Sequence, residues 1–142
     1  MAVQVANTLA FLLGRWSIER VICDYRDGSE ATFSGVAVVT PGDEGASYVE
    51  AGQLRRGSHS GPARRTLAFR ELAGGGVAID FADGRPFIEL DLAAGRWAGT
   101  HPCRADRYEL SFEALGPDRM HETWRVTGPA KDYGAETVWR RR

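Results

Sequence analysis

The sequence predicts a mostly β protein: an antiparallel up-and-down barrel of about eight to ten strands with a short N-terminal α-helix. Three observations carry this. After Trp16, short stretches rich in β-branched and aromatic residues alternate with Gly, Pro and Asp punctuation. Many of the breaks are hairpin-length, so sequential neighbours pair antiparallel. Helical periodicity precedes Trp16. Closing so many strands into a barrel removes the exposed edges that an open sheet would leave. A two-sheet sandwich is the main alternative.

The elements follow in order. Val5, Leu9, Leu12, Leu13 and Trp16 form the stripe of one amphipathic helix over about 5–13, with Gly14 placed to stop it. The barrel then runs over about 16–141. Its strands lie near WSIERVIC, ATFSGVAVVT, ASYVEAGQL, ARRTLAFRE, GVAIDFA, PFIELDLA, RWAGTH, RYELSFEAL, RMHETWRVTG and DYGAETVWR. The breaks are RDGSE, TPGDEG, the run from Arg56 to Pro62, LAGGG, ADGRP, AAGR, PCRAD, LGPD and GPAK. No internal repeat or domain boundary interrupts residues 1–142, so the chain reads as one domain.

Strand parity assigns faces. Ala63, Arg65, Leu67 and Phe69 alternate with a more polar set and point inward, which carries Arg65 inside. Tyr133, Ala135, Thr137 and Trp139 form a second inward set, and Tyr108, Leu110 and Phe112 a third. An aromatic interior with a few polar groups is the composition of a ligand pocket rather than of a solid aliphatic core.

Composition narrows the partners. The 142 residues are 43% hydrophobic and 26% charged, with a formal net charge of −1. That balance offers no electrostatic footprint for nucleic acid and no polybasic membrane patch. No apolar run reaches membrane-spanning length. The N-terminus lacks the basic region and cleavage site of a signal peptide. Two cysteines, Cys23 and Cys103, do not make a disulfide scaffold. The expectation is a cytoplasmic protein, monomeric or homodimeric, whose partner is a small apolar molecule.

LLGRW places a G-x-W at the start of the first strand, just after a helix. This resembles the calycin superfamily, the lipocalins, fatty-acid-binding proteins and relatives. The resemblance implies that Trp16 covers one end of the barrel and that an arginine of the last strand stacks on it, Arg141 first and Arg140 next. The ordered series FSGVAVV, YVEAGQL, PARRTLAF, FADGRPFIELDL, HPCRADRYELSF and WRVTGPAKDY resembles a calycin-like family of bacterial and fungal proteins of unknown function. Its specific elements are H-x-C-x-x-D-x-Y and GP-x-KDY. Leu67 departs from that pattern, which implies an aromatic residue there. The resemblance implies a lipocalin-like barrel and no particular reaction.

The candidate chemistry centres on HPCRADRY. His101 and Cys103 share one parity, and Asp106 and Tyr108 share the other across a turn at Cys103 to Ala105, so all four can meet at one barrel end. His101 and Cys103 supply two metal ligands that Asp106, His121 or Cys23 would have to complete. That spacing matches no zinc pattern, and no metal is assigned. His101 paired with Asp106 or Glu50 is either an acid–base pair or a satisfied core pair. Arg65 either pairs with Glu50 or holds a ligand carboxylate, as interior arginines do in fatty-acid-binding barrels. Lys131, the single lysine, is a turn residue or a rim cation that attracts an anion.

No cofactor is expected. Haem, bound through a histidine in another calycin branch, would need His101 or His121. The favoured function is binding of a small, largely apolar ligand inside the barrel, with or without a carboxylate. Arg65, Glu50, His101, Tyr108 and Tyr133 supply its polar contacts, and Trp124, Phe69, Phe87 and Phe112 its apolar surface. Asp106 orients a neighbour and Cys103 packs. The rival is a cyclase- or isomerase-type enzyme with His101 or Glu50 as acid–base, and a third class is an interaction module with an inert core.

Overall fold

The computed structural model describes residues 1–142. One helix, α1 (Thr8–Leu12), precedes ten strands. These are β1 (Gly14–Asp24), β2 (Glu30–Pro41), β3 (Gly45–Arg56), β4 (His59–Glu71), β5 (Val77–Phe81), β6 (Pro86–Leu90), β7 (Arg96–Cys103), β8 (Asp106–Gly116), β9 (Arg119–Thr127) and β10 (Asp132–Arg141). They form one sheet in the order β6-β5-β4-β3-β2-β1-β10-β9-β8-β7, antiparallel throughout. The first and last strands of the chain therefore pair, Trp16 opposite Arg141. The sheet curls into a nearly closed barrel whose two end strands, β6 and β7, face each other without a backbone ladder. No helix is long and apolar enough to cross a membrane.

Two boundaries differ from expectation. The helix is shorter than 5–13. Asn7 caps it, its side-chain oxygen accepting from the Ala10 N–H at 2.8 Å, so residues before Asn7 lie outside. The expected break from Arg56 to Pro62 is mostly strand: Arg56 pairs with His59, leaving Gly57 and Ser58 to turn. Gly57 has a φ of 60°, which glycine adopts without strain.

Sharp curvature has a sequence cause. Gly35 and Gly52 are partners on β2 and β3, and a Cβ on either would lie within 2.3 Å of the neighbouring backbone oxygen. Only glycine lets the strands coil this tightly.

The core gathers at the helix end of the barrel. Trp16, Trp139, Tyr48 and Phe69 form a chain of rings with centroids 5.6–5.8 Å apart. Leu12, Leu90, Leu92 and Met120 fill the space around them. Each such side chain, fully buried, contributes about 1.5–3 kcal/mol. Trp16 donates its indole N–H to Leu12 O at 2.9 Å, tying the helix to the floor. The Arg141 guanidinium lies 4.1 Å from the Trp16 ring and donates to Phe11 O and Leu13 O. It thus satisfies helix-terminal carbonyls while covering the indole.

Candidate functional site

Moving along the strands away from Trp16, the interior turns polar. Trp16, Ile18 and Arg20 succeed one another on the inner face of β1, and Met120, Glu122 and Trp124 on that of β9. Arg20 grips Glu50 with two hydrogen bonds, at 2.9 and 2.8 Å, and its Nε donates to Thr137 Oγ1 at 2.8 Å. Tyr48 donates its hydroxyl to Glu50 at 2.7 Å, and Arg65 approaches the same carboxylate at 3.5 Å. Burial pushes the Glu50 carboxyl up. The Arg20 bond and the Arg65 charge outweigh it and hold the group below the ordinary glutamate range. Burial beside this carboxylate pushes the Tyr48 phenol far above its ordinary value.

Glu122 is the second buried carboxylate, 2% exposed. Its oxygens accept the indole N–H groups of Trp124 and of Trp139, the latter at 2.9 Å. Arg65 lies between these systems. Its guanidinium sits 5.4 Å from the Trp124 ring and 5.9 Å from the Tyr48 ring. Its Nε is buried and has no hydrogen-bond partner.

Above this belt the barrel mouth is aromatic. Phe87 contacts Phe81, His101 and Trp124 at 4.8, 5.2 and 5.4 Å, and Tyr108 meets His101 and Trp124 at 6.0 Å. Here HPCRADRY and GPAKDY come together. His101 pairs with Tyr108 and Cys103 with Asp106 across the β7–β8 hairpin, so all four share a face. Asp106 binds Lys131 at 2.9 Å and presses against Gly128, where a Cβ would meet its Oδ1 at 2.0 Å. Burial, then the neighbouring Tyr108, raises the Tyr133 phenol.

Two cavities mark the polar belt. A small void of about 30 Å³ is lined by Tyr48, Arg65, Leu67, Phe69, Phe112 and Trp124, among others. A more open cleft of about 160 Å³ is lined by Arg20, Ile22, Arg65, Trp124, Tyr133 and Ala135. Arg65 and Trp124 border both and so form the partition between them. The void holds no more than a few waters, against about 300–1,000 Å³ for small-molecule pockets. The hollow interior expected from aromatic content is thus largely filled: Tyr48, Phe69, Phe112 and Trp139 pack across it.

The expected pairing of His101 with Asp106 or Glu50 does not form. Asp106 goes to Lys131 and Glu50 to Arg20, and the His101 ring packs against Phe81, Phe87 and Tyr108. The Glu50–Arg65 contact is present but secondary to the Arg20 pair. His121 lies on the outer face, between inward Met120 and Glu122. No three His, Cys, Asp or Glu side chains gather as a metal set. Arg20, Glu122 and Thr137 are the polar belt members that the candidate list lacks. Parity places all three inside: Arg20 shares the face of Trp16 and Ile18, Glu122 that of Met120 and Trp124, and Thr137 that of Ala135 and Trp139.

The model of a family of unknown function, DUF6314, matches residues 12–141, and the chain belongs to that family. No curated protein matches the sequence significantly. Among solved structures, an S-type phycobiliprotein lyase, CPES, from Guillardia theta has a similar fold, with a TM-score of 0.67 at 9% identity. That match covers 99% of this chain and 93% of the other. A DUF3598 protein of unknown function from Nostoc punctiforme matches with a TM-score of 0.58 at 15% identity, over 99% of this chain and 50% of that one. A redesigned β barrel, mFAP0, bound to DFHBI, matches with a TM-score of 0.52 at 11% identity, over 92% and 99%.

Proposed function

We propose that this member of the DUF6314 family binds a small, largely apolar carboxylic acid at the mouth of a calycin-like barrel, with Arg65 as its anchor. The observation that carries this reading is the buried, unpartnered Nε of Arg65 on the border of the void and the cleft. A buried donor without a partner costs about 1–3 kcal/mol, and a carboxylate accepting from it removes that cost. Arg20 cannot take this role, because its fork is committed to Glu50 and Thr137. Tyr133 adds a hydroxyl at the cleft, and the rings of Phe87 and Tyr108 supply apolar surface. The barrel bound to DFHBI supports the reading at the level of architecture.

Binding is favoured over catalysis by the state of the acid–base candidates. Both Glu50 oxygens already accept strong hydrogen bonds, and the carboxyl is held low, which makes it a weak base. His101 packs among aromatic rings and borders neither the void nor the cleft.

Native mass spectrometry of protein purified from its own host tests the proposal. The expected result is an organic acid on the wild-type chain that Arg65→Gln fails to retain. No adduct on the wild type, or an equal adduct on both, overturns it.

A further inference from the structure

Resting on the Arg65 reading, we infer that the Trp124 indole occupies its ligand's place, and that the ligand is a flat, indole-sized acid carrying an N–H donor. The geometry around Glu122 leads there. Buried carboxylates are ordinarily paired with a cation. Glu122 instead has its oxygens served by two neutral indole N–H groups, from Trp124 and Trp139. Trp139 and Trp16 are fixed in the floor, at 4% and 0% exposure. Trp124 is only partly buried and borders both the void and the cleft.

Trp124 is therefore the ring that can leave, and its departure has two consequences. The void and the cleft merge, and the indole's own volume is added. The combined space approaches the lower end of ligand pockets, about 300 Å³. Glu122 also loses a donor in a place where water is scarce, so the incoming molecule must supply one.

The charge pattern selects the donor. Arg65 and Arg20 flank the belt, so a cation reaching Glu122 would meet two guanidinium groups. A neutral N–H meets no such repulsion. The same ring can then present its carboxylate to Arg65 Nε, whose guanidinium already lies over the Trp124 ring at 5.4 Å. A flat ring with an N–H donor and a carboxylate would reproduce the Trp124 contacts and add the one Arg65 lacks.

Calorimetric titration of the full chain with indole carboxylate and with naphthoate, a flat acid lacking the N–H, tests this. Indole carboxylate is expected to bind the wild type at least about tenfold tighter than naphthoate. Trp124→Ala removes the competing ring, so it should tighten binding of indole carboxylate about tenfold or more. Binding should also shift tryptophan emission of the wild type to longer wavelength, a shift absent from Trp124→Phe. That readout decides the matter even where Trp124→Ala fails to fold. Weaker binding in Trp124→Ala makes Trp124 a stacking wall and overturns the inference, as does binding without the emission shift. Equal binding of the two acids, with both lost in Arg65→Gln, overturns it and leaves the Arg65 reading standing. Binding of neither acid to wild type or Trp124→Ala overturns both.

Discussion

Arg20 and Glu50 meet over β2 as a two-bond pair, Nη1 to Oε2 at 2.9 Å and Nη2 to Oε1 at 2.8 Å. On the inner face of β2, Phe33 stands opposite Arg20 and Ala37 opposite Glu50, with Gly35 between; the guanidinium lies 5.4 Å from the Phe33 ring and crosses the strand over the two small residues. Glu50 is 3% exposed, so the pair holds its charge inside the barrel rather than at its surface. Removing either partner strands the other. Arg20→Met is therefore expected to cost about 3–5 kcal/mol in urea unfolding, because it leaves the buried Glu50 charge with only the neutral Tyr48 hydroxyl and the longer Arg65 contact.

The same pair sets an acid limit on stability. Glu50 is held below its ordinary value of 4.5, so the folded chain binds its proton less readily than the unfolded chain does. Its contribution is complete above that ordinary value and is lost as pH falls through the lowered folded value. Unfolding free energy should fall with acid below about pH 4.5. In Glu50→Gln that part of the slope should vanish, at the expense of lower stability at neutral pH. Urea titrations at a series of pH values measure both.

The floor depends on one fork. Arg141 donates to Phe11 O at 2.7 Å and Leu13 O at 2.9 Å while lying over Trp16. Arg141→Lys keeps the charge but reaches fewer carbonyls, and should cost about 1–3 kcal/mol in thermal or urea unfolding.

Where the barrel bends, size matters more than charge. Gly35→Ala would push a methyl to 2.3 Å from Ala51 O, a backbone atom that cannot step aside. The expected loss is about 2 kcal/mol or more. Lys131→Ala removes the half-exposed Asp106 pair and a contact with the Tyr108 ring, so its thermal midpoint should fall slightly, and about 1 M salt should erase most of the difference.

Much of this architecture was legible in the sequence through one rule, the alternation of faces along a strand. It places Arg65, Leu67 and Phe69 inside, and likewise Tyr133, Thr137 and Trp139, because each set shares its parity with buried aromatic or aliphatic residues. The same rule reaches Arg20 and Glu122, yet a charged residue next to another polar one, as in IERV and HETW, reads first as solvated. What parity cannot reach is the choice of partner. Glu50 takes Arg20 rather than His101 because the curl of the sheet brings β1 and β3 together over a small-residue strand. Nor does aromatic content report free volume: the rings that suggested a hollow are the ones that fill it.

The most direct test of the Arg65 anchor is a charge-matched comparison. Arg64 and Arg65 are neighbours on β4 that point to opposite faces, outward and inward. Titration of an aromatic carboxylate that binds the wild type should lose at least about tenfold in affinity with Arg65→Gln and remain unchanged with Arg64→Gln. Equal affinity in both variants would contradict the account, because the barrel interior would then make no use of the Arg65 N–H that it leaves without a partner.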